Sequence, residues 1–227
     1  MSQSPHLEQA KLLFEQNRNP INATPMKRYM RDKFEYYGIK SPQRRALSKQ
    51  IIQEKGLLFG DELKQLCLEC YQDDYREIQY FANDLIEKTA KKLDASFLDL
   101  AETLITTKSW WDTVDLLATK LVGALLLRYP ELMVPYTSKW MASNNMWLQR
   151  TALIFQLPYK EQTRTDLLFK YILQLADSKE FFINKAAGWA LRQYSRTDPM
   201  EVEAFIHSHD LAPLTVQEGL RLLRKKK

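Results

Sequence analysis

Trp111 to Ala118 reads WDTVDLLA, Trp147 to Ile154 reads WLQRTALI, and Phe182 to Trp189 reads FINKAAGW. Each stretch opens on an aromatic residue, passes through a short polar segment and continues into small or apolar residues. Tyr75 opens an earlier stretch of the same kind. The four aromatics, Tyr75, Trp111, Trp147 and Phe182, lie 36, 36 and 35 residues apart. Self-similarity at a fixed period of this size marks stacked helix pairs, each burying its apolar face only against its neighbours. The unit is a little shorter than the usual HEAT length, so the pairs are HEAT-like. The expectation is an all-α chain, an α-α superhelix (solenoid) of antiparallel helix pairs. One helix of each pair lines its concave face.

The punctuation of the rest of the chain agrees. Glycine is scarce, with 6 in 227 residues, and proline falls between periodic runs. No strand alternation with turn pairs is present. Helices are expected over Leu7–Phe14, from the cap Thr24-Pro25 to Gly38, and from Ser41-Pro42 to Gly56. The next are Asp61–Cys70, Tyr75–Lys88, Phe97–Leu104 and a helix from the tryptophan pair to Leu127. Pro130–Met141, Asn145–Gln156, Thr165–Leu175 and Lys179–Tyr194 follow, then Asp198 to His207 and Leu214–Arg224. The chain reads as a single repeat domain, 1–227: a helical N-terminal segment over 1–56, repeats over 57–208, and a basic C-terminal helix and tail over 209–227.

Charge is distributed unevenly. Up to Gly56 there are 11 Lys and Arg against 5 Asp and Glu; from Leu57 to Thr106 the balance is 5 against 11; from Thr107 onward it is 17 against 12. Two basic thirds flank an acidic one, and the chain closes on Arg224-Lys225-Lys226-Lys227. Such a pattern suits a polyanionic partner, nucleic acid first, or a solvated surface with a basic tail. No apolar run approaches a membrane span, and the polar N-terminus lacks a signal-peptide pattern. The protein is expected to be cytoplasmic, with no membrane contact. Cys67 and Cys70 form a lone C-x-x-C without the second ligand pair that a structural zinc site needs. No metal and no cofactor are expected.

Around Thr107-Lys108-Ser109-Trp110-Trp111-Asp112-Thr113-Val114-Asp115, Ser109 reads as a helix N-cap and Asp112 as its capping-box partner. Trp111 and Asp115, four apart, share a helix face. Two readings of Asp115 stay open. A carboxylate beside an indole suits a cation, and an acid early in a helix can also serve structure. If equivalent helices line one surface, Trp111 and Asp115 face the same groove as Arg150, Lys185 and Trp189. Gly188 allows close helix contact, at a helix cost of ~1 kcal/mol relative to Ala.

With those residues in view, the chain resembles the AlkD family of DNA alkylation-repair glycosylases along nearly its whole length. The resemblance is carried by TKSWWDTVD (Thr107 to Asp115), WLQR (Trp147 to Arg150) and KEFFINKAAGWALRQY (Lys179 to Tyr194), with MKRYM (Met26 to Met30) and SPQRR (Ser41 to Arg45). It implies hydrolysis of the N-glycosidic bond of cationic N3- and N7-alkylpurines in double-stranded DNA, with the lesion read through sugar and backbone without flipping the base; a monomer is expected, since the groove must admit a duplex. By motif, Asp115 is the catalytic carboxylate, with Trp111 and Trp189 as aromatic walls. Arg150 and Tyr29 would contact the DNA backbone. Ser41, Arg45, Phe181, Phe182 and Arg192 would belong to the DNA-binding surface, where the groove argument also places Lys185.

The chemistry suits that residue set. Glycoside hydrolysis commonly uses one carboxyl as acid and another at the sugar. A cationic alkylpurine leaves as a neutral base, so the acid is dispensable. The remaining carboxylate can stabilise the oxocarbenium-like sugar and position water. No catalytic lysine constellation is evident, which points to a glycosylase without lyase action, Lys108 being the one lysine close by. The competing expectations are a non-catalytic HEAT-like DNA-binding module and a protein–protein scaffold.

Overall fold

The computed structural model describes residues 4–223. The basic run Arg224–Lys227 lies outside them. The chain is all-α: the described residues hold α-helices, short 3-10 turns and one π segment, and a single isolated bridge pairs Glu35 with Tyr75. No helix among them is long and apolar enough to cross a membrane. By internal contacts the chain divides into two compact units, the first ending at Lys108 and the second beginning at Ser109.

The first unit holds α1 (Pro5–Gln16), α2 (Pro20–Tyr29), α3 (Ser41–Lys55), α4 (Gly60–Gln72), α5 (Arg76–Thr89) and α6 (Phe97–Thr106). Its core joins Phe14 of α1 edge-on to Tyr37 and to Phe81 of α5, at 6.0 and 6.5 Å between ring centres. Leu63, Leu66, Cys67 and Cys70 form the buried face of α4. Both cysteine thiols are fully buried, and burial pushes their pKa values up.

The start of α2 differs from the expectation. The helix begins one turn before Thr24-Pro25, at Asn19-Pro20. Asn19 is the N-cap, its side chain accepting the N–H of Asn22 at 3.1 Å, and Pro25 sits inside the helix. α2 buries no residue, so water can reach the carbonyl that proline leaves unmatched. The helix also stops at Tyr29, well before Gly38. Arg31 and Asp32 both turn left-handed, at φ 56°, and the Asp32 N–H closes on the Lys27 carbonyl. Gly38 has a different duty. At φ +89° it runs so close to α2 that a Cβ would lie 2.0 Å from the Asn19 carbonyl oxygen. The buried Glu77 carboxylate of α5 accepts the N–H groups of Tyr37, Gly38 and Ile39 at 3.1, 2.9 and 3.1 Å, fixing that loop.

The second unit continues from α7 (Trp111–Leu116) through a π segment (Leu117–Val122) into α8 (Gly123–Arg128). α9 (Met133–Ala142), α10 (Met146–Ile154), α11 (Thr165–Gln174), α12 (Phe181–Tyr194), α13 (Pro199–Ser208) and α14 (Pro213–Gly219) follow. α10 packs on α7, α9, α11 and α12, and α12 packs on α13 and α14. Asn145 caps α10 by accepting the N–H groups of Trp147 and Leu148, and Asp198 caps α13 by accepting that of Glu201. Two glycines set the closest helix approaches. A Cβ on Gly123 would lie 2.5 Å from the Phe155 carbonyl oxygen, and one on Gly188 would lie 2.5 Å from the Cβ of Glu218. The buried Tyr159 hydroxyl donates to the Gly123 carbonyl at 2.7 Å, which satisfies both groups.

Candidate active site

The site is built on the first turns of α7, α10 and α12. The N-cap of α7 is Trp110, one residue later than the sequence suggested, because residue 110 is held extended (φ −158°, ψ 160°). Its indole, 8% exposed, packs 5.7 Å from Trp147 and 5.1 Å from Phe182, and those two rings lie 5.0 Å apart. Trp110 therefore supplies the aromatic that meets its repeat counterparts, where the periodicity had pointed to Trp111. Trp111, the first residue of α7, is half-buried and lies one turn before Asp115.

Arg150, three residues into α10 after Trp147, is 3% exposed. Its guanidinium meets Asp115 fork to fork, Nε donating to Oδ1 and Nη2 to Oδ2, both at 2.7 Å. Its Nη1 donates to the Phe182 carbonyl at 2.6 Å. One side chain thus ties α7, α10 and α12 together. Bidentate charge-assisted bonds fix both position and plane of a carboxylate. The Asp115 side chain keeps 17% of its surface exposed, so the anchored carboxylate still reaches solvent. Burial pushes its pKa above the ordinary aspartate value, and the Arg150 hydrogen bonds and charge oppose that shift.

The helix changes its winding just beyond this carboxylate. The Gly123 N–H donates to the Ala118 carbonyl, a π-type bond, and Thr119 Oγ1 donates to the Asp115 carbonyl at 2.7 Å. An extra residue in a turn rotates the residues before it relative to those after it. Here it allows Asp115 to face Arg150 while Gly123 faces the end of α10.

The remaining expected residues fall into two groups. On α12, Phe181 is 57% exposed and stands edge-on to Phe182 at 5.4 Å. Lys185, Trp189 and Arg192 follow on that helix, and Glu218 of α14 accepts from both Lys185 and Arg192. In the first unit, Tyr29 is 71% exposed at the end of α2, and Ser41 and Arg45 are exposed on the first turns of α3. Arg44 beside them is buried in an ion pair with Asp84. Among the described residues none forms an ion pair with Arg28, Arg31, Lys40, Arg45 or Lys49, so this basic surface is open to an anion. Lys108, left-handed at φ 44°, has its Nζ on the carbonyls of Gln72 and Asp73 at 2.9 and 2.7 Å and on Asp74 at 3.0 Å.

Glu218 and the Phe182 carbonyl were not foreseen. Nothing about a lone glutamate near the C-terminus distinguishes it from a surface residue, and a main-chain acceptor has no residue type. The nearest signal was the Gly188 that lets α14 approach.

Residues 10–223 match the family model described as DNA alkylation repair enzyme. Among solved structures, one named as a predicted DNA alkylation repair enzyme from Enterococcus faecalis is 36% identical, with a TM-score of 0.85 over 92% of this chain and 97% of that one. AlkD2 from Streptococcus mutans is 18% identical, with a TM-score of 0.58 over 78% of this chain and 87% of that one. The smu.31 protein from Streptococcus mutans UA159 gives the same identity and TM-score over 78% and 90%. At that identity the two streptococcal structures show the fold alone. A search of curated proteins found no match.

Proposed function

The chain belongs to the family of DNA alkylation repair enzymes, and on that premise we propose that it is a monofunctional DNA glycosylase. It hydrolyses the N-glycosidic bond of N3-alkyladenine and N7-alkylguanine in duplex DNA and leaves an abasic site. The observation that supports this reading best is the Asp115 carboxylate, gripped at both oxygens by Arg150 and still open to solvent.

A cationic alkylpurine carries the charge that makes it a leaving group, and it departs neutral. The bond breaks towards an oxocarbenium-like sugar, and the barrier depends on how well that growing charge is met. A carboxylate already held in place by two hydrogen bonds reorganises little as the charge develops, which is where electrostatic stabilisation is most effective. Asp115 supplies the negative charge and orients the attacking water. Trp111 and Trp189 give the sugar two indole faces. Arg150 holds the carboxylate, which makes it a positioning group in addition to the phosphate contact suggested by its motif. Removing one such stabilising group typically lowers the rate by about 10²- to 10³-fold.

Tyr29, Ser41 and Arg45, with the unpaired cations around them, would grip phosphates, and the exposed Phe181 would lie against the duplex. Lys108 supports the monofunctional reading. Its amine is committed to two carbonyls and a carboxylate, and a lyase needs an amine free to form a Schiff base.

The test is release of free base from methylated duplex DNA. Wild type should release 3-methyladenine and 7-methylguanine, and Asp115→Asn should not. Salt-dependent DNA binding without base release would turn the reading into a non-catalytic DNA-binding module.

A further inference from the structure

Lys185, Trp189 and Arg192 occur at i, i+4 and i+7 on α12, so they form one stripe on one face. Their backbones stand about 10 Å apart along the axis, at roughly 1.5 Å per residue, and the two side chains converge on a single carboxylate. Long basic side chains at such a surface would ordinarily sample many rotamers. Here they do not. Glu218 of α14, only 7% exposed, accepts from Lys185 Nζ at 2.6 Å and from Arg192 Nη1, with Arg221 at 3.9 Å.

The packing that delivers this carboxylate is specific. α12 and α14 meet through two glycines. A Cβ on Gly188 would collide with Glu218 and Thr215, and one on Gly219 would lie 3.3 Å from the Cβ of Leu191. The Thr215 hydroxyl donates to the Asn184 carbonyl at 3.1 Å, adding a second lock one residue from Lys185. The Lys185 hydrogen bond holds the Glu218 carboxyl below its ordinary range.

We propose that Glu218 is a positioning residue for DNA. It holds Lys185 and Arg192 side by side, on the helix face that also carries Trp189, as a two-point clamp for phosphates of one strand. This rests on the functional reading above, because it requires that this face of α12 meets DNA. An acid in a DNA-binding surface would normally weaken binding. The buried position of Glu218, beneath two cations, makes it a fixed counter-charge that preorders its partners and leaves the stripe net positive.

The alternative role, charge neutralisation alone, predicts the opposite sign. Glu218→Gln keeps the size of the side chain and raises the net charge by one. Simple electrostatics then demands tighter DNA binding and a steeper salt dependence. Positioning demands that binding weaken, about three- to tenfold, with the slope of log K against log salt falling by about one as a phosphate contact is lost.

The measurement is equilibrium binding, at several salt concentrations, to a duplex carrying a stable abasic-site analogue, which needs no excision activity. Thermal melting of each variant serves as the fold control. Weaker binding and a shallower slope are expected; tighter binding or a steeper slope would overturn the proposal alone. If Glu218→Gln fails to fold, Lys185→Gln and Arg192→Gln carry the test. Each should lower the slope by about one, and unchanged slopes in both would overturn the clamp. A wild type that binds no duplex would overturn the functional reading and this proposal together.

Discussion

Replacing Arg150 by methionine removes a charge while keeping much of the side-chain volume, and its cost can be worked from the structure. The guanidinium is buried, with 4% of the side chain exposed, and its partner Asp115 is 17% exposed. Breaking a buried pair by removing one member typically costs about 3–5 kcal/mol, because the other charge is left without compensation. Asp115 can recover some hydration through its exposed edge, which places the cost near the lower end. The Phe182 carbonyl also loses its donor. At roughly 2–4 °C per kcal/mol for a chain of this size, the melting transition should fall by about 6–12 °C. The second half of the prediction is coupling. Asp115→Asn alone strands the Arg150 charge, whereas Arg150→Met with Asp115→Asn leaves neither charge behind. The double variant should therefore lose less than the sum of the singles, by about 0.5–3 kcal/mol. Urea denaturation of the four proteins measures this. Additive losses, or an Arg150→Met variant that melts with wild type, would refute the idea that this pair ties α7, α10 and α12 together.

Other consequences can be checked alongside. Catalysis needs Asp115 ionised, and burial raises its pKa, so excision should fail on acidification at a pH above the ordinary aspartate range. Arg150 opposes that rise, so in Arg150→Gln the acid limb should move to higher pH; a limb moving downward would contradict the sign. Gly123→Ala places a Cβ 2.5 Å from the Phe155 carbonyl oxygen and should cost about 1–3 kcal/mol, as overpacking does; an unchanged melting temperature would show that the helices can part there freely. Borohydride should trap no covalent adduct between wild type and abasic DNA, and an adduct that vanishes in Lys108→Met would overturn the monofunctional reading.

The helical architecture was legible because it rests on redundant signals. A period near 36 residues recurs from Tyr75 to Phe182, and several helix starts use a cap or a proline legible in the sequence, as at Ser41-Pro42, Asn145 and Asp198-Pro199. At the start of α2 the expected cap was Thr24-Pro25, and the structure uses Asn19-Pro20, a pair of the same type. The decision lies in a loop contact, since Gly38 must pass against the Asn19 carbonyl and Glu77 must reach three N–H groups from a distant helix. The adjacent tryptophans show a similar limit. Periodicity identified the pair, and the exchange of roles between Trp110 and Trp111 depends on the extended residue that starts α7. Asp115 was visible by its motif and its spacing from Trp111. Its partner was visible only as a residue type: nothing in WLQR says that the arginine folds inward onto a carboxylate 35 positions away. Glu218 was invisible, because its significance is made by the burial and the two cations that α12 brings to it.

If Asp115 drives glycosidic hydrolysis of cationic lesions, single-turnover release of 7-methylguanine from duplex DNA must depend on its carboxylate. Wild type, Asp115→Asn and Asp115→Ala would be compared at saturating enzyme, without added metal, alongside DNA affinity and melting temperature for each. Wild type should release free base, and both variants should remain folded and DNA-binding with rates lower by about 10²-fold or more. Undiminished release by folded Asp115→Asn would contradict that role for Asp115, and would leave the Arg150 pair as a structural fastening in an enzyme whose chemistry lies elsewhere.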